Sequence, residues 1–207
     1  MVENFGSGKA IAISGTPGTG KSAVGALVSR SLGVWLVELS DYVLENKLYV
    51  GYDDERLSFV VDEPKLREHL RRLITEKGRV LVVGHYSEIV DDDMLDKIIV
   101  LRINPMELAE RLSRRGWPPR KVFENVEAEL IGVCTSNALL EHPPDKVCEV
   151  DVTGRSVEEV SKEVIEIVTG KRQCRVFVDW LSDEAVVSRV LSLTMSYREN
   201  LTRSIRF

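Results

Sequence analysis

The chain of 207 residues lacks any apolar run of the roughly 18 residues that a membrane-spanning helix needs. Its first residues, Met1 to Lys9, also lack the apolar core of a secretory signal and lead directly into a predicted strand. We therefore expect a cytoplasmic protein without a membrane partner. The length suffices for one large domain, or a domain with an appended element, around a substantial core.

Cysteine is scarce as well. Cys134, Cys148 and Cys174 are odd in number, far apart and outside any C-x-x-C spacing. Zinc sites and disulfide frameworks usually show paired cysteines at short, regular spacings. The sequence therefore predicts reduced structural thiols in an intracellular protein, with neither zinc nor disulfides.

Positive charge is not in excess, since 28 Lys and Arg residues face 33 Asp and Glu residues, for a net charge of −5. This balance argues against a general nucleic-acid binder, and no direct sequence-specific nucleic-acid binding is expected. The charges are unevenly distributed: acids dominate from Glu38 to Glu63, and bases dominate from Arg102 to Lys121. The sequence thus predicts an acidic lobe and an arginine-rich lobe.

The most informative stretch, residues 15–22, has the full G-x-x-x-x-G-K-[ST] pattern of a phosphate-binding loop. Glycines allow backbone N–H groups to turn inward around phosphate oxygens, where a Cβ would block the approach. In this pattern Lys21 reaches the β- and γ-phosphates, and the Ser22 hydroxyl ligates Mg²⁺. ATP and Mg²⁺ are therefore the predicted cofactors, and the predicted ATP-binding residues are Gly15, Thr16, Pro17, Gly18, Thr19, Gly20, Lys21 and Ser22.

Apolar runs and helical patterns alternate along the chain. Strands are predicted at 9–14, Val34–Val37, Val80–Val83, Ile98–Arg102 and Val147–Val152. Helices are predicted to start at Asp62-Glu63-Pro64, at Asn104-Pro105, near Pro119 (running to Val133) and after Ser156. This alternation predicts an α/β fold with a mainly parallel sheet covered on both faces.

A boundary is predicted at Gly170–Gln173, which divides a core domain, 1–170, from an extension, 171–207. The extension carries a helical pattern from Ser182 to about Tyr197. Trp180 is expected to dock the extension on the core, because an exposed indole is the less common outcome.

Arginines mark a second informative region. Arg111 and Arg115 are four residues apart and therefore project from one helix face. Gly116-Trp117-Pro118-Pro119 then breaks the helix into a short flap, and guanidinium groups there suit a transferring phosphoryl group. The alternative is a solvated basic helix face, which fits Arg114 best.

The third predicted strand ends in Val83-Gly84-His85. A polar residue at the carboxyl end of such a strand favours function, so His85 is a catalytic candidate beside Lys21, Arg111 and Arg115. No acid precedes Gly84, and Asp41, just beyond the second strand, is the candidate metal-binding acid with Ser22. The alternative for Asp41 is to cap the next helix.

Thr153-Gly154-Arg155-Ser156 follows the fifth predicted strand. A backbone loop at this position could embrace the adenine ring, with Arg155 stacked on it, so Gly154 and Arg155 are predicted to bind the nucleotide. Helix capping by Thr153 or Ser156 is the alternative role for those side chains.

These segments together resemble the Fap7-like adenylate kinase family of archaea and eukaryotes, which includes the coilin-interacting nuclear ATPase protein of animals. The resemblance covers roughly residues 9–170. It rests on the phosphate-binding loop, Leu48–Glu55 with Asp62-Glu63, Gly84-His85, Arg111–Trp117 and Glu124–Glu129. The L-Y-x-G-Y-D and R-L-x-x-R-G-[WY] segments are the specific ones.

The resemblance implies a P-loop NTPase three-layer sandwich with a five-stranded parallel sheet of the nucleoside monophosphate kinase type. It further implies a monophosphate-binding region, 38–78, a short lid, 111–121, adenylate kinase and ATPase activity, and a role in small ribosomal subunit maturation through a ribosomal protein. Arg111 and Arg115 correspond to the lid arginines. Two positions depart from the family: Val83 replaces an acid, and Leu44 replaces an arginine on the monophosphate side.

Three hypotheses remain open at this point. The first is a kinase that transfers the γ-phosphoryl group of Mg-ATP to AMP. The second is an ATPase assembly factor whose acidic segment binds a basic small-subunit ribosomal protein. The third is a kinase for a different small acceptor, which the same fold would allow.

Overall fold

The computed structural model describes residues 10–54 and 58–204, with side chains described to residue 195. Seven strands occur in this part of the chain: β1 Ala10–Gly15, β2 Trp35–Glu38, β3 Tyr49–Asp53, β4 Ser58–Val61, β5 Val80–Val83, β6 Leu95–Arg102 and β7 Val147–Asp151. The helices are α1 Lys21–Leu32, α2 Leu39–Glu45, α3 Glu63–Lys77, α4 Pro105–Arg114, α5 Pro119–Leu130, α6 Val133–Glu141, α7 Val157–Val168 and α8 Glu184–Ser204. The predicted start of the first strand at Lys9 lies outside the described residues, as does Glu55.

The central sheet has the strand order β2-β5-β1-β6-β7, and all neighbouring strands run parallel. One hydrophobic core cluster includes apolar residues of α1, α4, α5 and α7, and the other includes those of α2 and α3. The sheet is therefore the middle layer of a three-layer α/β sandwich, and the predicted fold class is confirmed. Because the strands are parallel, β1, β2 and β5 end at one edge, where the phosphate-binding loop begins.

An antiparallel hairpin, β3–β4, is an element that the apolar pattern did not predict. Its aromatic side chains hold the two strands together: the ring of Phe59 lies 4.5 Å from that of Tyr49 and 5.2 Å from that of Tyr52. The hairpin lies outside the central sheet and leaves Val50 and Val60 exposed. It was missed because its apolar residues do not form a buried run.

The predicted helix from Pro119 to Val133 is two helices in the structure. α5 ends at Leu130, and Gly132 adopts a φ of 67° before α6 begins at Val133. A Cβ at Gly132 would lie 3.4 Å from Nη1 of the buried Arg102. The break therefore combines a left-handed turn with room for a guanidinium, and both favour glycine.

The prediction of three reduced thiols is wrong for two of them, because Cys148 and Cys174 form a disulfide. Only Cys134 is free, and it is buried. The segment after residue 170 returns along β7, where the Glu149 N–H donates to the Arg175 carbonyl at 2.9 Å. This return brings the two Cα atoms to 4.9 Å, a proximity that the spacing of 26 residues did not reveal.

Removal of the disulfide is expected to destabilise the folded chain by about 3 kcal/mol, because the cross-link restricts the unfolded ensemble. The variant Cys174→Ser should therefore unfold at a lower denaturant concentration than the wild-type protein. A thiol reductant should lower the wild-type midpoint toward that of the variant and leave the variant itself unchanged. Equal midpoints for oxidised wild type and variant would show that the cross-link adds no stability.

Beyond the disulfide, a short 3-10 turn, Trp180–Ser182, leads into α8. Val186 and Val190 of α8 are buried in the core cluster that includes α4 and α5, and Trp180 packs against it. Nothing in the described helices is long and apolar enough to cross a membrane.

Candidate functional site

The phosphate-binding loop leaves β1 and ends at the first turn of α1. Gly15 has a φ of 137°, and a Cβ at this position would lie 2.5 Å from the Leu101 carbonyl oxygen. Gly20 has a φ of 97° and precedes α1, whose N-terminus has no side-chain cap. The uncapped N–H groups and the positive end of the helix dipole make this turn an anion site.

Lys21 extends back across the loop. Its Nζ donates to the carbonyl oxygens of Gly15 at 2.7 Å and Thr16 at 3.1 Å. Burial lowers the pKa of Lys21 to about 8, against a partial rise from the nearby Glu38 and Glu129 carboxylates. A desolvated ammonium held in the loop is poised to bind a phosphate.

The lowered pKa of Lys21 gives nucleotide binding a defined pH dependence. Above about pH 8 the free protein loses this proton, and a bound phosphate raises the pKa again, so binding then takes up a proton. The Kd of a non-hydrolysable ATP analogue should be level just below this pH and rise by up to about tenfold per unit above it. Calorimetry in buffers of different ionisation enthalpy measures the uptake, which Lys21→Met should abolish.

The carboxylate nearest to Ser22 is Glu38. The Ser22 hydroxyl donates to Glu38 Oε2 at 3.1 Å, and Glu38 is the last residue of β2, in register with Val83 of β5. An acid on the neighbouring strand thus lies beside the position where the family pattern expects one. Burial raises the pKa of Glu38, and the charge of Asp41 adds to the rise.

Asp41, the predicted metal-binding acid, is an exposed residue in the first turn of α2. It does not cap the helix, because Glu38 occupies the N-cap position. Asp41 is close enough to affect the Glu38 carboxyl electrostatically. Sequence reasoning missed Glu38 because its approach to Ser22 depends on the strand order of the sheet.

The oxygens of Ser22 and Glu38 fit Mg²⁺, which prefers hard oxygen ligands and keeps phosphate and water in its shell. Across residues 10–54 and 58–195, no three His, Cys, Asp or Glu side chains form a metal site by themselves. A cation here would therefore depend on the bound nucleotide.

Glu38→Gln is expected to raise the Mg²⁺ concentration needed for half-maximal activity by about tenfold, because the amide is neutral and keeps only one of the two carboxylate oxygens. Asp41→Asn is the matched comparison and should have the smaller effect, since Asp41 makes no described bond to Ser22. A magnesium titration at fixed ATP measures both variants. A larger effect of Asp41→Asn would assign the metal to Asp41 instead.

Arg111 and Arg115 lie beside the loop, at the end of α4. Arg111 Nη1 is 3.4 Å from the Gly18 carbonyl oxygen, and its Nη2 pairs with Glu107 at 2.6 Å. Arg115 is close enough for its charge to lower the pKa of Lys21. Arg114, by contrast, forms an exposed pair with Glu110. The structure thus places two of the three arginines near the loop.

His85 follows β5 and is exposed to solvent. Its carbonyl oxygen accepts a hydrogen bond from Ser14 at 3.1 Å, which ties this turn to the end of β1. Partial removal of water from the imidazole by the surrounding protein lowers the pKa of His85 to about 4, and the charge of Lys21 contributes a smaller part of this effect. The imidazole is therefore a neutral hydrogen-bonding group at neutral pH.

A cavity of about 550 Å³ opens beside His85. The predicted monophosphate-binding region forms one wall, with β4, Glu63 and Arg67, and α6 forms another with Asn137 and Leu140. Its volume lies in the range of small-molecule sites. Arg67 was not among the predicted site residues; its Nη1 donates to the Ile89 carbonyl at 2.9 Å, and its Nη2 pairs with Glu141.

The predicted adenine loop lies next to α4. The Gly154 N–H donates to Glu107 Oε2 at 2.9 Å, so Glu107 links this loop to Arg111. The Arg155 guanidinium pairs with Glu163 at 2.7 Å and donates to the Asp151 carbonyl. Ser156 caps α7 in a capping box with Glu159, as its alternative role predicts.

Arg102 was predicted to belong to the arginine-rich lobe, but it is only 2% exposed. Its guanidinium lies between the carboxylates of Glu129 and Glu149. The basic surface near the loop therefore consists of the later arginines of this stretch.

The parallel sheet, the glycine loop and the arginines at the end of α4 define a P-loop protein of the kinase type. A sequence model of the AAA domain matches residues 11–132, which is more than half of the chain. Proteins named "Putative adenylate kinase" are 39% identical over 176 residues in Saccharolobus islandicus and 42% over 171 residues in Thermococcus kodakarensis. These alignments cover 85% and 82% of this chain and 89% and 92% of the relatives. The chain belongs to the family of these archaeal proteins.

Solved structures with the same fold include kinases of more than one kind. A shikimate kinase from Acinetobacter baumannii aligns with a TM-score of 0.56 at 14% identity, covering 80% of this chain and 95% of that one. A thymidylate kinase from Candida albicans gives 0.52 at 16% identity, covering 79% and 92%. At this level of identity the likeness concerns the fold alone.

Proposed function

We propose that this chain is an adenylate kinase that binds Mg-ATP and transfers the γ-phosphoryl group to AMP, with ATP hydrolysis as a side activity. The observation that carries the proposal is a convergence of charge: Lys21, Arg111 and Arg115 meet at one phosphate-binding loop. A separate cavity is lined by His85, which is close enough to Lys21 to be affected by its charge. A donor site and an acceptor site that meet at fixed cations suit phosphoryl transfer. The names of the archaeal relatives support the same activity.

Each residue has a role that its position supports. The loop from Gly15 to Ser22 would bind the phosphates of ATP, and Gly154 and Arg155 would lie near adenine. Lys21, Arg111 and Arg115 would neutralise the charge that develops on the transferring group. Ser22 and Glu38, with Asp41 nearby, would hold Mg²⁺, which supplies further charge neutralisation when bound. Positioning and electrostatics suffice, and no covalent intermediate on the protein is needed.

The acceptor would occupy the cavity beside His85. Neutral His85 can donate or accept a hydrogen bond there without adding charge. Leu44 leaves α2 without a guanidinium, whereas Arg67 of α3 lines the cavity, where its guanidinium would exchange the pair with Glu141 for the phosphate. We therefore assign AMP phosphate recognition to the α3 side of the predicted region 38–78, with the short lid 111–121 on the ATP side.

The test is ADP formation from Mg-ATP with and without AMP, together with release of inorganic phosphate. A kinase forms two ADP for each ATP consumed when AMP is present and releases little phosphate. ADP formation that AMP does not stimulate, with equal phosphate release, would contradict the kinase and favour an ATPase. Stimulation by another phosphate acceptor would instead indicate a different substrate on the same site.

The assembly-factor hypothesis is the second candidate, and the exposed hairpin favours it. Val50, Tyr52 and Val60 are 68%, 49% and 46% exposed, and Asp53 and Asp54 stand at the turn. Apolar residues rimmed by acids suit a basic protein partner. Binding to a basic small-subunit ribosomal protein should fall with salt and disappear when Asp53 and Asp54 are reversed in charge. Membership of the Fap7-like group, the division at residue 170 and a cytoplasmic location stay predictions.

A further inference from the structure

A series of buried side chains connects the phosphate-binding loop to the interior of the domain. Thr16 Oγ1 donates to Glu129 Oε2 at 2.6 Å, and Arg102 Nε donates to Glu129 Oε1 at 2.7 Å. Arg102 Nη1 then donates to Glu149 Oε1 at 2.5 Å. These four residues are at most 3% exposed. They form one continuous network that starts within the loop itself.

The far end of this network is fixed by the segment after the disulfide. Glu149 Oε2 accepts the backbone N–H groups of Phe177 and Val178, each at 2.7 Å. The disulfide between Cys148 and Cys174 holds the start of that segment beside β7. The network is therefore anchored on the sheet and on the segment that covers its edge.

Stability alone does not account for two carboxylates that share one guanidinium in the interior. Burying charges costs several kcal/mol for each ion, and well-packed apolar residues often serve as well or better. What such a network can provide is one fixed arrangement of the groups it contacts. The group at its near end is Thr16.

Thr16 accepts several of the hydrogen bonds that hold the loop together. Its carbonyl oxygen accepts the Lys21 ammonium at 3.1 Å, the Thr19 N–H at 3.2 Å and the Thr19 hydroxyl at 3.0 Å. A shift of Thr16 would therefore move both the ammonium and the following turn. The side chain that prevents such a shift is Glu129, which holds the Thr16 hydroxyl.

We propose that Glu129 is a positioning residue for ATP binding: by holding Thr16 it sets the loop in its phosphate-binding shape before the nucleotide arrives. This inference rests on the ATP binding in the proposed function. A loop that is already ordered loses less conformational entropy on binding, so Glu129 raises affinity without itself touching the nucleotide.

The test compares two threonines whose hydroxyls both donate to a buried glutamate, one inside the phosphate-binding loop and one outside it. Thr16 and Thr135 are both buried, and each donates at 2.6 Å to a carboxylate of this network, but only Thr16 belongs to the loop. Thr16→Val should raise the Kd of a non-hydrolysable ATP analogue with Mg²⁺ by about tenfold, whereas Thr135→Val should change it by less than about twofold. Thr16→Ser keeps the hydroxyl and should restore binding. Calorimetry measures all four proteins, and thermal unfolding compares the stability that each valine costs.

A double-variant cycle assigns the effect to Glu129. Glu129→Gln should also weaken binding, and adding Thr16→Val should then cause little further loss, because both changes break the same bond. If the losses of affinity in the two single variants add up in the double variant, the positioning role of Glu129 is wrong. The same holds if Thr16→Val binds the analogue as tightly as the wild-type protein. Neither result would contradict the proposed function. Equal weakening by Thr135→Val would also overturn the positioning role, since it would reflect general destabilisation. Failure of the wild-type protein to bind the analogue would overturn the proposed function as well.

Discussion

Replacing Lys21 with Met is expected to lower the rate of phosphoryl transfer by at least about a hundredfold while the protein stays folded. The Lys21 ammonium is held by two carbonyls of the loop that binds the phosphates in the proposed complex. In a site shielded from water, losing such a charge removes stabilisation that solvent cannot replace. Methionine keeps the length and apolar volume of the side chain, so the loss reports on the charge.

The fold should tolerate this change. Burial lowers the pKa of Lys21 to about 8 from a normal value of 10.5, so the folded state disfavours the charged form that prevails at neutral pH. Removing the ammonium should therefore leave stability at neutral pH equal or higher, as thermal unfolding would show. Lys162→Met, at an exposed position of α7, is the matched control and should keep full activity. Retention of more than about a tenth of the activity by Lys21→Met would contradict the role given to the loop.

Replacing Arg102 with Met is expected to destabilise the protein by about 3 to 5 kcal/mol. The change leaves Glu129 and Glu149, which are 1% and 2% exposed, without their counter-charge. For a domain of this size a loss near 4 kcal/mol corresponds to a melting temperature lower by roughly 10 °C. Chemical unfolding of the purified variant measures the change directly.

Two further variants separate the network from a general effect of losing an arginine. Arg114→Met breaks the exposed pair with Glu110 and should cost less than about 1 kcal/mol. Adding Glu129→Gln and Glu149→Gln to Arg102→Met should recover part of the lost stability, because it removes the unpaired charges. If Arg102→Met is as stable as Arg114→Met, the buried network does not contribute to the stability of the fold.

The central strands could be predicted from the sequence because a parallel strand is buried on both faces. Val80–Val83 and the Ile98–Leu101 part of β6 therefore read as continuous apolar runs. Helix starts were predictable because the capping residue lies next to the helix in the sequence, as Asp62 and Asn104 illustrate. The hairpin β3–β4 escaped prediction because its strands are largely exposed.

Contacts between distant residues could not be predicted from local pattern. Cys148 meets Cys174 only because the chain returns along β7, and Glu38 meets Ser22 only because of the strand order. Arg102 ends an apolar strand and precedes a basic stretch, so its sequence context resembles a surface position. The loop itself was predictable because its chemistry is contained in eight consecutive residues.

The most direct test of the proposed kinase follows the γ-phosphoryl group itself. Wild-type protein is incubated with AMP, Mg²⁺ and ATP labelled in the γ-phosphate, and the labelled products are separated. Transfer predicts label in the β-position of ADP, in an amount that matches the AMP consumed and that Lys21→Met lowers by at least about a hundredfold. Label found only in inorganic phosphate, at a rate that AMP does not change, would contradict the account.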